Sequence, residues 1–146
     1  MSHVATVKTK ISNPQALVRA LLRMGIAQDR IELHEKAIQC HGYHHEEKFM
    51  ANVIVRKATY GSDIGWEKTT DGTYAAHIDD YHYIEQHYNT AWQTQVATYC
   101  NVEAVKILFE ERNMEYTEKR TDRGLIQVRG VQKEDPRALL RQRGGR

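Results

Sequence analysis

The segment Phe49-Met50-Ala51-Asn52-Val53-Ile54-Val55 decides the fold class. In an extended chain, Phe49, Ala51, Val53 and Val55 fall on one side, while Met50 and Ile54 fall on the other. A strand that is apolar on both sides is covered on both faces and belongs inside a sheet. Upstream, Ile31, Leu33 and Ala37 suggest a preceding strand, followed by a polar loop over residues 40–48. Downstream, Ile64 and Trp66 mark a short strand, Asp71-Gly72 a hairpin turn, and Tyr74, Ala76 and Ile78 the returning strand.

Further out, Ala5, Val7, Thr9 and Ile11 alternate with Thr6, Lys8 and Lys10, the pattern of a strand with one wet face. Ser12-Asn13-Pro14-Gln15 reads as a helix start, with Ser12 as the cap and Gln15 at the capping-box position. Leu17, Val18, Leu21 and Leu22 form its apolar face, and Gly25 ends it. Residues 89–112 are helical, but Trp92, Val96, Tyr99 and Cys100 lie on one face and Val102, Val105 and Phe109 on another. This shift predicts a bend or break near Cys100-Asn101, with Asn101 capping a second segment. Met114 and Tyr116, the turn Asp122-Arg123-Gly124, and Leu125, Ile126 and Val128 predict a closing hairpin. The order βαββ-β-βαββ predicts an α+β protein with a mostly antiparallel sheet and helices on one face. Residues 1–131 are expected to form a single domain, and 132–146 a basic, flexible tail.

With 146 residues, 40% of them hydrophobic and 27% charged, the chain has ordinary globular composition. A mean hydropathy of -0.69 and no apolar run near ~18 residues predict no membrane span. The opening Met1-Ser2-His3-Val4 lacks a secretory pattern, so a cytoplasmic location is expected. In that compartment Cys40 and Cys100 are small buried hydrophobes unless the fold brings them together. Net charge is +2, and Lys133, Arg137, Arg141, Arg143 and Arg146 concentrate the excess in the tail. Nucleic-acid contact is therefore expected only through that tail.

Several stretches together carry a resemblance: Met1-Ser2-His3, Val7-Lys8-Thr9-Lys10-Ile11, Gly61-Ser62-Asp63-Ile64-Gly65-Trp66, the run from Gly72 and Tyr74 to Asp80, Thr94-Gln95 and Tyr99. In this ordered series the chain resembles the domain-of-unknown-function family that includes hypothetical chloroplast reading frame thirty-five, found in some plastid genomes, cyanobacteria and other bacteria. The similarity extends to about Val131. That family has no established activity, so the resemblance implies no catalytic or binding residue. His44-His45-Glu46-Glu47 departs from the family pattern.

Four constellations could carry chemistry. Cys40-His41-x-x-His44-His45, near His34 and Glu46, offers thiolate and imidazole ligands for zinc or another divalent metal. All of them come from one loop, without a second ligand pair, so a solvated polar loop is the competing reading. Asp79, Asp80 and His82, preceded by His77, set paired carboxylates beside imidazoles, as divalent-cation binding or acid–base work requires. A strand end with alternating exposure explains them equally. Tyr60, Trp66, Tyr74, Tyr81, Tyr83, Tyr88, Trp92 and Tyr99 cluster in the middle third, as core or as a stacking surface. In Asp63-Ile64-Gly65-Trp66 the glycine marks a bulge or close backbone approach, and Asp63 holds a turn or, with Trp66, forms a docking surface.

No nucleophile motif or phosphate loop accompanies these residues, which points away from an enzyme. The reading reached is a non-enzymatic binding or accessory module with no cofactor, acting through a protein partner or as a homo-oligomer. The partner surface is drawn from Asp63, Trp66, His77, Asp79, Asp80 and His82. The alternative is a small-ligand or metal-binding protein using the His/Asp clusters.

Overall fold

The structure is a computed structural model that describes residues 4–44, 46–59, 61–79 and 88–132. The fold is α+β, in the order β1 (Val4–Lys8), α1 (Pro14–Arg23), β2 (Ile31–His41), β3 (Lys48–Thr59), β4 (Ser62–Lys68), β5 (Tyr74–Asp79), α2 (Thr90–Glu111), β6 (Met114–Arg120) and β7 (Ile126–Gln132). A short 3-10 turn, Gln28–Arg30, leads into β2. Five strands make an antiparallel sheet in the order β1-β5-β4-β3-β2, and β6 and β7 form a separate hairpin. The chain groups into two compact units, Met1–Glu103 and Ala104–Arg146.

Register assigns the faces of the five-stranded sheet. Val53 pairs with Trp66, Trp66 with Ala76, and Ala76 with Val7, while Val55 pairs with Ile64 and Ile78 with Ala5. Partners in an antiparallel ladder project to the same side. Val53, Val55, Ile64, Trp66, Ala76 and Ile78 on this face are all buried. Burying such side chains is worth about 1.5–3 kcal/mol each for the larger ones. Trp92 of α2 packs on Trp66 with ring centroids 6.3 Å apart, which sets the first part of α2 over this face. From the C-terminal end of α1, Arg23 pairs with Glu103 at 3.1 Å and lies 4.4 Å over the Tyr99 ring, which ties that end to α2.

β3 is an inner strand, as its apolar run demands, but its sides do not alternate simply. Ala51 and Ile54 share a buried cluster with Cys40 and Phe49, while Met50 is exposed. Asn52 is the cause. Its side chain donates to the carbonyls of His34 and Glu35 and accepts from the Lys68 amide, filling an irregularity between Leu33 and Ile38 of β2.

Three local expectations are corrected. The α1 cap is Asn13 rather than Ser12, since its Oδ1 accepts from the amides of Gln15 and Ala16 at 3.0 and 3.1 Å. The buried face of α1 is Ala16, Leu17, Ala20 and Leu21, with Leu22 exposed, because two alanines let the helix approach closely. α2 is one continuous helix through Cys100 and Asn101, so the expected break, with Asn101 capping a second segment, is absent. Its two apolar stripes serve different units: Trp92 meets Trp66, whereas Phe109 stacks on Tyr116 and covers Gly130 of the β6–β7 hairpin. No break is needed when each stripe has its own partner.

The Asp71-Gly72 turn is present, with Gly72 at φ 87°, a region that favours glycine. Cys40 and Cys100 are both buried free thiols. Among the described residues no helix is long and apolar enough to cross a membrane.

Candidate functional site

Among the candidates expected from sequence, Asp63, His77 and Asp79 lie on the sheet face opposite Trp66. There Ile54, Gly65, His77 and Thr6 form one cross-strand row. A Cβ on Gly65 would stand 2.5 Å from the Ala51 Cβ and 2.8 Å from Phe49 Cε2, so this glycine is crowded by two side chains rather than by the backbone approach expected of it. Phe49 also lies 5.3 Å from the His77 ring. The end of the β2–β3 hairpin thus folds over this face.

Carboxylates tie the hairpin down. Asp63, buried, accepts from the His41 amide, the Lys57 amide and Arg56 Nη1, each at 3.1 Å. Arg56 also grips Glu32 at 2.7 Å, which raises the guanidinium's affinity for its proton and holds the Glu32 carboxyl below its ordinary range. Asp79, fully buried, accepts from the Tyr43 amide at 2.9 Å, and Glu47 accepts from the Val4 amide at 2.6 Å. Arg30 donates to the carbonyls of Arg56, Lys57 and Ala58, where the register of β3 with β4 shifts between Val55 and Thr59.

His77 is held at both ring nitrogens: Nδ1 lies 2.9 Å from Thr6 Oγ1 and Nε2 lies 2.9 Å from Glu67 Oε1. A carboxylate at Nε2 favours the proton there, leaving Nδ1 to accept from the Thr6 hydroxyl.

Cys40 and His41 belong to strand β2 rather than to the loop expected at 40–48. Burial pushes the Cys40 thiol up to about 12, away from the thiolate that a metal would need. Among the described residues no group of three His, Cys, Asp or Glu side chains converges as a metal site. His44 is described and stands edge-on to Tyr43. His45, Asp80 and His82 lie outside the described residues. Trp66 is buried beneath Trp92.

A second place was missed from sequence. β1 is an edge strand: it pairs with β5 on one side and, among the described residues, with no strand on the other. Beside it runs a groove of about 320 Å³, bounded by residues 7–11 and by Thr90, Gln93, Thr94, Ala97 and Asn101 of α2. These α2 positions recur at helical spacing and form one face, adjacent to the Trp92, Val96 and Cys100 face. The strand-side rim is pinned. The Ile11 amide donates to Thr9 Oγ1 at 3.1 Å, the Tyr74 amide donates to the Ile11 carbonyl at 2.8 Å, and Thr9 Oγ1 donates to the Tyr74 carbonyl. Val7, Ile11 and Ala97 supply apolar lining. Gln93 Nε2 is buried and, among the described residues, lacks a hydrogen-bond acceptor.

Such a groove has little sequence signal, because Thr90, Gln93, Thr94 and Asn101 read as the wet side of an amphipathic helix. Only their common face, set against an apolar stripe already assigned to the sheet, hints at it.

Compared with protein-family models, with curated proteins and with solved structures, the chain shows no significant match to any of them.

Proposed function

We propose that this chain is a non-enzymatic binding module that acts through a protein partner, receiving an extended segment of that partner as an added strand on β1. The observation that carries this reading is the groove between one face of α2 and the edge of β1 that no strand among the described residues pairs with. An edge strand leaves every second amide and carbonyl unpaired, and an incoming strand supplies their partners. In this mode of recognition, main-chain hydrogen bonds give affinity and alternate side chains give selectivity through pockets. Here Val7, Ile11 and Ala97 would meet apolar side chains of the segment, and Gln93 Nε2 would find an acceptor.

The test is selection from a display library of random short peptides, followed by binding to Ala97→Trp. That indole fills the groove from the helix side without altering β1. Selected peptides should bind the native chain and lose at least about tenfold affinity to the variant, a difference of about 1.4 kcal/mol. Selected peptides that bind both proteins equally would contradict the reading.

A second reading, a small-ligand site at the His/Asp cluster, is supported by His77 standing between the Thr6 hydroxyl and the Glu67 carboxylate. The order hydroxyl, imidazole, carboxylate is that of an activated nucleophile. Asp79 and Asp63 nearby are engaged with backbone amides, which supports a structural role for those carboxylates.

A further inference from the structure

Resting on the strand-addition reading, we infer that the segment received on β1 is acidic, with carboxylates at alternate positions and apolar side chains between them. The geometry of the rim sets this pattern. Lys8 and Lys10 both border the groove and both are exposed. Among the described residues neither lysine side chain is in an ion pair or hydrogen bond, and no carboxylate lines the groove. Val7 lies on the sheet face that carries Ala76 and Trp66, whereas Lys8, one residue on, projects to the other side. An added strand alternates in the same way. Residues opposite Val7 turn into the groove and those opposite Lys8 turn to the other side; continued past the end of β1, the same alternation groups Thr9 and Ile11 with Val7, and Lys10 with Lys8.

Charge also narrows the occupant. If a second copy of this chain added β1 to β1, each copy would bring its own Lys8 and Lys10 to the same seam, and like charges facing each other across strands are destabilising. Lysines on an open edge guard it against chance pairing with neutral apolar strands. A strand that carries carboxylates meets no such barrier, so the same two residues that exclude one class of segment select another. Gln93 Nε2, a buried donor without an acceptor among the described residues, adds to the groove's demand for oxygen.

The experiment uses the full chain and three synthetic peptides in which valine alternates with glutamate, with threonine or with lysine, followed by fluorescence anisotropy. The glutamate peptide should bind about three- to tenfold more tightly than the threonine peptide, as two exposed ion pairs allow, and the margin should shrink with added salt. The double variant Lys8→Glu, Lys10→Glu should reverse the order in favour of the lysine peptide. If threonine and glutamate peptides bind equally and Ala97→Trp blocks both, the acidic preference is wrong while strand addition stands. If Ala97→Trp leaves glutamate-peptide binding intact, or no peptide binds, strand addition itself fails and the preference with it. A single-stranded oligonucleotide that displaces the glutamate peptide and depends on Lys8 and Lys10 would reassign the lysines to phosphate, overturning the inference.

Discussion

The Phe49 ring occupies the space that a side chain on Gly65 would need, with Cε2 only 2.8 Å from the position of a Cβ there. Ala51 crowds the same point at 2.5 Å. Gly65 is therefore required by packing. Gly65→Ala should destabilise the chain by about 1–3 kcal/mol, the usual cost of overpacking a filled core. Urea unfolding measures it, and an unchanged midpoint would show that the β2–β3 hairpin does not lie against β4 as described.

Asp63 gathers three donors from β2 and β3 onto one buried carboxylate. Asp63→Ala leaves two amides and a guanidinium without that acceptor. The expected loss is about 2–4 kcal/mol, with the hairpin amides exchanging faster than those of α1. Uniform acceleration across the chain would indicate a global effect instead of a local tie.

Much of the fold was legible in the sequence, for reasons that differ by element. The order of strands and helices followed from alternation at Ala5, Val7, Tyr74, Ala76 and Ile78 and from the turn at Asp71-Gly72, since these signals are local. What escaped was set by contacts distant in sequence. Asn52 interrupts the alternation of β3 only because β2 offers it two carbonyls to fill. Cys40 and His41 looked like loop ligands because the polar run after them hid the strand that pairs them with Phe49 and Lys48. The moving stripe of α2 reads as a bend or break in the sequence because the hairpin that receives Phe109 has no local signature. The groove beside β1 is a matter of juxtaposition, and Gln93 or Asn101 alone says nothing of it.

Acid should expose the β4–β5 turn. Asp71 accepts from Thr69 Oγ1 and from the amide and hydroxyl of Thr73, and these hydrogen bonds hold its carboxyl down at about 2, against an ordinary 3.8. A folded-state value below the unfolded one means stabilisation that is complete above 3.8 and is lost as pH falls through about 2. Asp71→Asn should remove the part of the acid-unfolding slope in that window. Identical slopes for both proteins would show the turn contributes nothing to it.

Both cysteines should be inert in the folded chain. Burial, the leading cause for each, raises Cys40 to about 12 and Cys100 to about 11. Iodoacetamide at about pH 8 should label neither until denaturant is added, because the thiolate is the reacting species. Rapid labelling of Cys40 alone would mean that the hairpin opens readily.

Filling the groove should separate binding from stability. Ala97→Trp adds bulk at the border of the groove and should leave the unfolding midpoint nearly unchanged, within about 1 kcal/mol, while peptide binding falls. A large loss of stability would mean that the groove is closed by packing in solution.

The most direct measurement of strand addition is residue-resolved amide hydrogen exchange of the chain with the valine–glutamate peptide at saturation. The account predicts that alternate amides of β1, those turned away from β5, pass from fast to slow exchange, while β2 at the opposite edge of the sheet is unchanged. Protection confined to β2, or unaltered exchange throughout β1 with peptide bound, would contradict it.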